Sequence, residues 1–327
     1  MFKYFALFLL SLQFPCLCHC EEQELLKENR KIMDTFDKIK KFYNLKPNEN
    51  WREITSEILS SAQTAQICKN WIREYKRRFF VFKYPSDHLW VKGFISFTPN
   101  SFQKPLLVLY RWGNENFALM NPATLYSTHR DYMVVSSALR GGVSEGSDEF
   151  GGADVNDMKN LLTYLPELAK ELGIKIEPSG RYMLGPSRGG MEMFLTLRRF
   201  PELQNNINKI VSLSGILDMR QLIHDRSFDM KVLFERQFGY LEGCKGKDWI
   251  SKRDPLNTIP YLRRSLPILI IQGTADPRIN LIEGRRMAEK LKKSGHKVTY
   301  WEIKNGNHVL TNDPQIMNDI AHWLESK

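Results

Sequence analysis

From Leu106 onward, short apolar runs alternate with amphipathic stretches, and this alternation limits the possible folds more than any other feature of the chain. The runs are Leu106–Tyr110, Met133–Ala138, Tyr182–Leu184, Ile210–Leu213, Ile268–Ile271 and Val298–Ile303. Between and after them lie stretches of helical period, among them Val155–Leu172, Met191–Phe200, Leu281–Lys293 and Pro314–Glu325. Parallel strands need a crossover, usually a helix, so the pattern predicts an α/β chain with a mostly parallel central sheet and helices on both faces. Two β-rich runs, Phe79–Tyr84 and Leu89–Phe97, flank Pro85-Ser86-Asp87-His88 and predict an antiparallel hairpin at the entrance to this body.

The most specific local signal is Gly185-Pro186-Ser187-Arg188-Gly189-Gly190. This G-x-S-x-G sits between an apolar run and a helical run, the context in which the motif marks a nucleophile elbow. A serine placed there occupies a strained turn in which side chains two positions away would strike the neighbouring strand and helix. The N-terminus of the following helix and the backbone N–H of Arg188 would face an oxyanion developing beside Ser187.

A serine hydroxyl is a weak nucleophile at neutral pH, so a base and an orienting acid are required, and in this context they follow the serine in the order acid, then His. Asp276 lies directly after the Ile268–Ile271 run, at the carboxyl end of a predicted strand, where reactive groups of parallel sheets gather. Asp218, after Ile210–Leu213, is the reserve acid. Three histidines follow Asp276: His296 precedes a strand, His322 lies within the last helical stretch, and His308 follows the Val298–Ile303 run in Asn305-Gly306-Asn307-His308. Position selects His308 as the base.

At the N-terminus, Lys3 precedes the almost wholly apolar Tyr4–Leu17, and the acidic pair Glu21-Glu22 follows. Residues 1–20 are therefore expected to be a cleaved signal peptide and the protein to be secreted or periplasmic. As a helix, that run would reach only about 21 Å against about 30 Å of hydrocarbon, so no stable membrane span is expected after cleavage. A lipid-attachment reading at Cys20 is a poor fit, because His19 is not small. Cleavage after Cys20 would remove Cys16, Cys18 and Cys20 and leave Cys68 and Cys244, as one disulfide or as two buried thiols. Residues 21–78 read as a helical extension, with an amphipathic helix over Leu25–Tyr43 and a second helical stretch over Trp51–Tyr75, and residues 79–327 as the main domain. The formal charge of +10 is spread without a long basic run, so no nucleic-acid partner is indicated. Neither the HExxH pattern nor a paired-cysteine pattern occurs, so no metal or cofactor is expected.

Several separate segments together resemble the catalytic domain of the prolyl oligopeptidase family of serine peptidases. Tyr84-Pro85-Ser86-Asp87 with Val91-Lys92-Gly93 is similar to the family's entry hairpin. Leu139-Arg140-Gly141-Gly142 with Phe150-Gly151-Gly152-Ala153-Asp154-Val155 is similar to the segment after its fourth strand. Arg253-Asp254-Pro255-Leu256, the run from Leu266 to Asp276, and the elbow with its doubled glycine also fit. The resemblance implies an α/β-hydrolase fold and a Ser187, Asp276, His308 triad acting on a peptide or small acyl-ester substrate.

It also implies an oxyanion hole from Arg188 and a second donor near Tyr110, the tyrosine or a neighbouring backbone N–H. The chain departs from the family pattern at Tyr110-Arg111-Trp112-Gly113, and again at Asn307, where Gly is usual. With so few residues before the hairpin, the β-propeller that many members carry is not expected here. Without that filter a carboxylesterase is the first alternative, and a non-catalytic binding protein on the same fold is the second. The stretch from Asp218 to Leu262 is too long for a plain crossover and is expected to form a small lid over the substrate pocket.

Overall fold

The computed structural model describes residues 37–113, 119–122, 131–176, 180–239, 243–308, 310 and 315–326. The predicted signal peptide, most of the predicted Leu25–Tyr43 helix and the Cys244 side chain lie outside the described residues. Residues 37–40 are helical and Cys68 is buried.

Among the described residues nine strands form one sheet in the order β1-β2-β3-β5-β4-β6-β7-β8-β9. They are β1 Trp51–Glu53, β2 Arg78–Ser86, β3 Leu89–Phe97, β4 Leu106–Leu109, β5 Val134–Ser137, β6 Arg181–Pro186, β7 Ile207–Leu213, β8 Ile268–Gly273 and β9 Val298–Ile303. The predicted hairpin is present: β2 and β3 pair antiparallel from Arg78 opposite Phe97 to Ser86 opposite Leu89, and Asp87 turns the corner at φ 53°. β3 joins β5 antiparallel, and from β5 to β9 every pairing is parallel.

Period-two alternation distributes the strand side chains between two cores. Leu106, Val108, Ile268 and Ile270 face α3 Val155–Leu172, α4 Arg188–Arg199 and α8 Leu281–Lys293. Leu107, Leu109, Leu269 and Ile271 face the other way, against Ile39, Phe42 and Tyr43, α1 Thr55–Ser60, α2 Gln66–Glu74 and α9 Ile316–Glu325. Because both faces are covered, the parallel strands read in sequence as continuous apolar runs. Among the described residues no helix is long and apolar enough to cross a membrane.

The expected helical stretch over Trp51–Tyr75 is corrected at its start and is divided into two helices. Trp51–Glu53 is an edge strand paired with β2, where the Trp51 ring meets Phe80 edge-on and Glu53 pairs with Arg78. Helix α1 then stops at Ser61, whose ψ of 133° is extended, before α2 begins. The expected boundary at residue 79 falls inside β2, and the preceding segment contributes both a strand and part of one core.

Motif residues at the hairpin have structural work to do. The Arg140 guanidinium bridges Asp157 and Asp87, Ser86 donates to Asp157, and the Tyr84 hydroxyl lies 2.6 Å from Ser137 Oγ. Between β7 and β8, α5 Met219–Asp225, a π turn at Ser227–Lys231, α6 Val232–Phe238 and α7 Gly243–Arg253 form a small helical insertion.

Candidate active site

Ser187 stands at the end of β6 and caps α4, with φ 52° and ψ −123°. That conformation is costly for a residue with a side chain, and it is held from three sides. Its N–H donates to Leu213 O at 2.9 Å, while its carbonyl accepts from Gly190 N and Ile216 N, both at 3.0 Å. The turn closes only because its flanks are bare. A Cβ on Gly185 would lie 2.4 Å from Gly189 O, and one on Gly189 would lie 2.9 Å from both Arg111 O and Tyr110 Cβ.

The loops after β8 and β9 are laced together. Thr274 N donates to Ile303 O, Ala275 N to Gly306 O and Asn305 N to Thr274 Oγ1, at 2.8 to 3.0 Å. This brings Asp276 and His308 side by side. His308 Nδ1 lies 2.9 and 3.1 Å from the two Asp276 oxygens, and His308 Nε2 lies 3.1 Å from Ser187 Oγ. The Asp276 side chain has no exposed surface. Its oxygens accept from Arg278 N at 2.8 Å, Ile279 N at 3.1 Å and Gln272 Nε2 at 3.1 Å, so its orientation is fixed before any substrate arrives. Gln272 was not anticipated from sequence, although a lone amide ending the wholly apolar Ile268–Ile271 run is the signal that could have found it.

The remaining candidates separate clearly. Asp218 accepts from Arg220 N and Gln221 N as the cap of α5 and pairs with Arg286, which occupies its oxygens away from His308. His296 Nε2 lies 3.1 Å from Leu262 O, and His322 lies in α9. Tyr110 is corrected as an oxyanion donor. It shares the strand face of Leu106 and Val108, and its hydroxyl is buried 3.9 Å from Met183 Sδ beneath α4. Its N–H is bonded to Leu184 O at 2.9 Å, so neither of its donors is directed to Ser187. Burial pushes its phenol above the ordinary range.

The Arg188 side chain turns inward and is 1% exposed. Its guanidinium reaches Asp148, Asp154, Glu192 and the Gly113 carbonyl, and it stacks 4.4 Å from the Phe150 ring centre. Beside the elbow an apolar cluster joins Met191 and Phe150 to Ile216, and to Met230, Phe234 and Ile250 of the helical insertion.

The chain has relatives among known proteins, in sequence and in fold. The model of the prolyl oligopeptidase family matches residues 117–327. An acylamino-acid-releasing enzyme of Arabidopsis thaliana is 25% identical over 210 residues, 61% of this chain and 27% of that protein. The chain thus spans about a quarter of the length of the curated relatives it matches. Among solved structures, an acylaminoacyl peptidase of Pyrococcus horikoshii superposes with TM-score 0.56 at 18% identity, covering 76% of this chain and 41% of that one. An esterase of Pyrococcus furiosus superposes with TM-score 0.55 at 16% identity, covering 78% and 92%. The α/β-hydrolase fold is common to these structures and this chain, and the match over residues 117–327 places the chain in the prolyl oligopeptidase family.

Proposed function

We propose that the chain is a serine hydrolase that transfers an acyl group from a peptide bond to water through Ser187. The supporting observation is the unbroken line of hydrogen bonds from Asp276 through His308 to Ser187 Oγ, assembled where β6, β8 and β9 end. In this reading His308 Nε2 takes the Ser187 proton as Oγ attacks the scissile carbonyl, and Asp276 stabilises the imidazolium through Nδ1. The Arg188 N–H donates to the tetrahedral oxyanion, with a second backbone donor from the loop after β4. His308 then returns the proton to the leaving amine, and water repeats the sequence on the acyl-enzyme. Met191, Phe150 and Ile216 pack beneath the helical insertion and brace the elbow from that side.

A second reading, an esterase for small acyl esters, is favoured by one observation. The fold superposes on the Pyrococcus furiosus esterase as well as on the acylaminoacyl peptidase, with TM-scores of 0.55 and 0.56. Rates on matched amide and ester substrates separate the two. Measurable amide turnover within about a hundredfold of the ester supports the peptidase, whereas ester cleavage alone supports the esterase. Export through a leader over residues 1–20 belongs to the same proposal.

A further inference from the structure

We propose that the Arg188 guanidinium is a positioning residue for the oxyanion hole, fixing the loop after β4 against the elbow so that a backbone N–H of that loop meets the oxyanion. The inference rests on Ser187 being the nucleophile. It assigns work to the side chain as well as to the backbone N–H.

Removing Tyr110 leaves the oxyanion hole with one donor, and the neighbouring backbone is the nearest source of another. The Tyr110 and Arg111 carbonyls abut the first turn of α4, since a Cβ on Gly189 would lie 3.2 and 2.9 Å from them. Two arginines hold the next two carbonyls. Arg111 Nε donates to Trp112 O at 3.2 Å, and Arg188 Nη1 donates to Gly113 O at 3.0 Å. In a planar trans peptide the N–H points opposite to the C=O, so holding the Trp112 carbonyl also aims the Gly113 N–H. Gly113 itself has φ 68°, a left-handed turn that defines where the loop leaves the strand.

Arg188 suits this task because its fork is rigid and anchored elsewhere. Nη1 also donates to Asp148 at 2.7 Å, Nη2 to Asp154, and Nε to Glu192 at 2.9 Å. Asp148 and Asp154 belong to the segment between β5 and α3, and Glu192 lies one turn along α4 from the elbow. Asp148 and Asp154 are themselves tied down, accepting from Phe150 N and from Gly151 N. One side chain thus joins the segments surrounding Ser187 to the residue whose N–H is the first donor. A displacement of the loop would be felt at the oxyanion and hardly at the ground-state substrate.

Arg188→Lys keeps the charge facing the aspartates but loses the fork, and Arg188→Met/Asp154→Asn removes one positive and one negative partner together. Both are compared with the wild type in kcat, in KM, and in inhibition by a peptidyl trifluoromethyl ketone, which forms an oxyanion on the nucleophile. Folding is checked by near-ultraviolet circular dichroism. The expected result is a loss of about 10² to 10³ in kcat, KM changed less than about threefold, and ketone affinity falling in parallel with kcat. A folded variant with near wild-type kcat, or one that loses kcat while keeping ketone affinity, overturns the proposal. So does failure of both variants to fold, which would make Arg188 a core residue only. If the wild type neither turns over nor binds the ketone, the hydrolase reading falls with it, which is distinguishable because the wild type itself is then silent.

Discussion

Of the two candidate acids, only Asp276 meets the His308 imidazole. Asp276 touches His308 Nδ1 and is held by Arg278 N, Ile279 N and Gln272, whereas the Asp218 oxygens are committed to a helix cap and to Arg286. Asp276→Asn is expected to lower kcat by on the order of 10⁴ with the fold intact, because the amide favours the wrong imidazole tautomer. Asp218→Asn is expected to change kcat less than about threefold and to cost about 1 kcal/mol or less, because Asn caps a helix as well as Asp does and only the ion pair with Arg286 is weakened. Steady-state kinetics and thermal melts on the two variants check this, and the reversed pattern would transfer the acid role. Tyr110→Phe gives a second residue-scale test. With its hydroxyl buried beneath α4, kcat should stay within about threefold of wild type and stability should fall by about 1 kcal/mol. A loss of a hundredfold or more in kcat would restore the hydroxyl to the oxyanion hole.

At the scale of elements, the ends of β6, β8 and β9 converge because parallel strands deliver their carboxyl ends to one edge of the sheet. That Ser187, Asp276 and His308 lie beyond the ends of three strands was therefore readable without coordinates. The face of Tyr110 was not. All four residues of β4 are buried, so hydropathy does not reveal which alternate positions point beneath α4. The Trp51–Glu53 strand was missed for a related reason, since three residues are too few to show a period. Glu283 was missed as well, because its acidic side chain looks like one more exposed group at the start of α8.

Glu283 is in fact buried, with one oxygen accepting from Leu217 N and Asp218 N at 3.0 Å each and the other without a partner among the described residues. Burial pushes its carboxyl up to about 8, against the two N–H donors that favour the charged form. The folded state then binds more protons than the unfolded state between an ordinary carboxylate pKa of about 4.3 and about 8, so stability falls as pH rises through that window. Between pH 6 and 8.5 the wild type should lose about 2 to 3 kcal/mol more than Glu283→Gln, whose amide is neutral throughout. Denaturant midpoints at the two pH values measure this. Equal losses would mean that the carboxyl is charged in the fold.

On the scale of the whole molecule, the segment before the hairpin is part of the domain. Ile39, Phe42 and Tyr43 are buried with Leu107 and Leu109, and the Tyr43 hydroxyl donates to Met120 O at 2.8 Å, in the connection between β4 and β5. Removing residues 37–53 would uncover one face of the sheet and unpair the β2 edge, so such a truncation is expected to aggregate or melt well below the full chain. A well-folded truncation of unchanged melting temperature would show that the segment is dispensable. Export is checked separately by mass spectrometry. A mature chain beginning close to Glu21 is expected, and exported protein that still begins at Met1 would contradict cleavage.

The proposed hydrolase stands or falls with Ser187, activated by His308, as the nucleophile. Its most direct measurement is covalent labelling of the full chain by a fluorophosphonate probe, with the modified peptide located by mass spectrometry. One label is expected, on Ser187, lost in Ser187→Ala and slowed by at least about a thousandfold in His308→Ala, while His322→Ala labels at the wild-type rate. A folded wild-type protein that never labels, or labels on another serine, would contradict it.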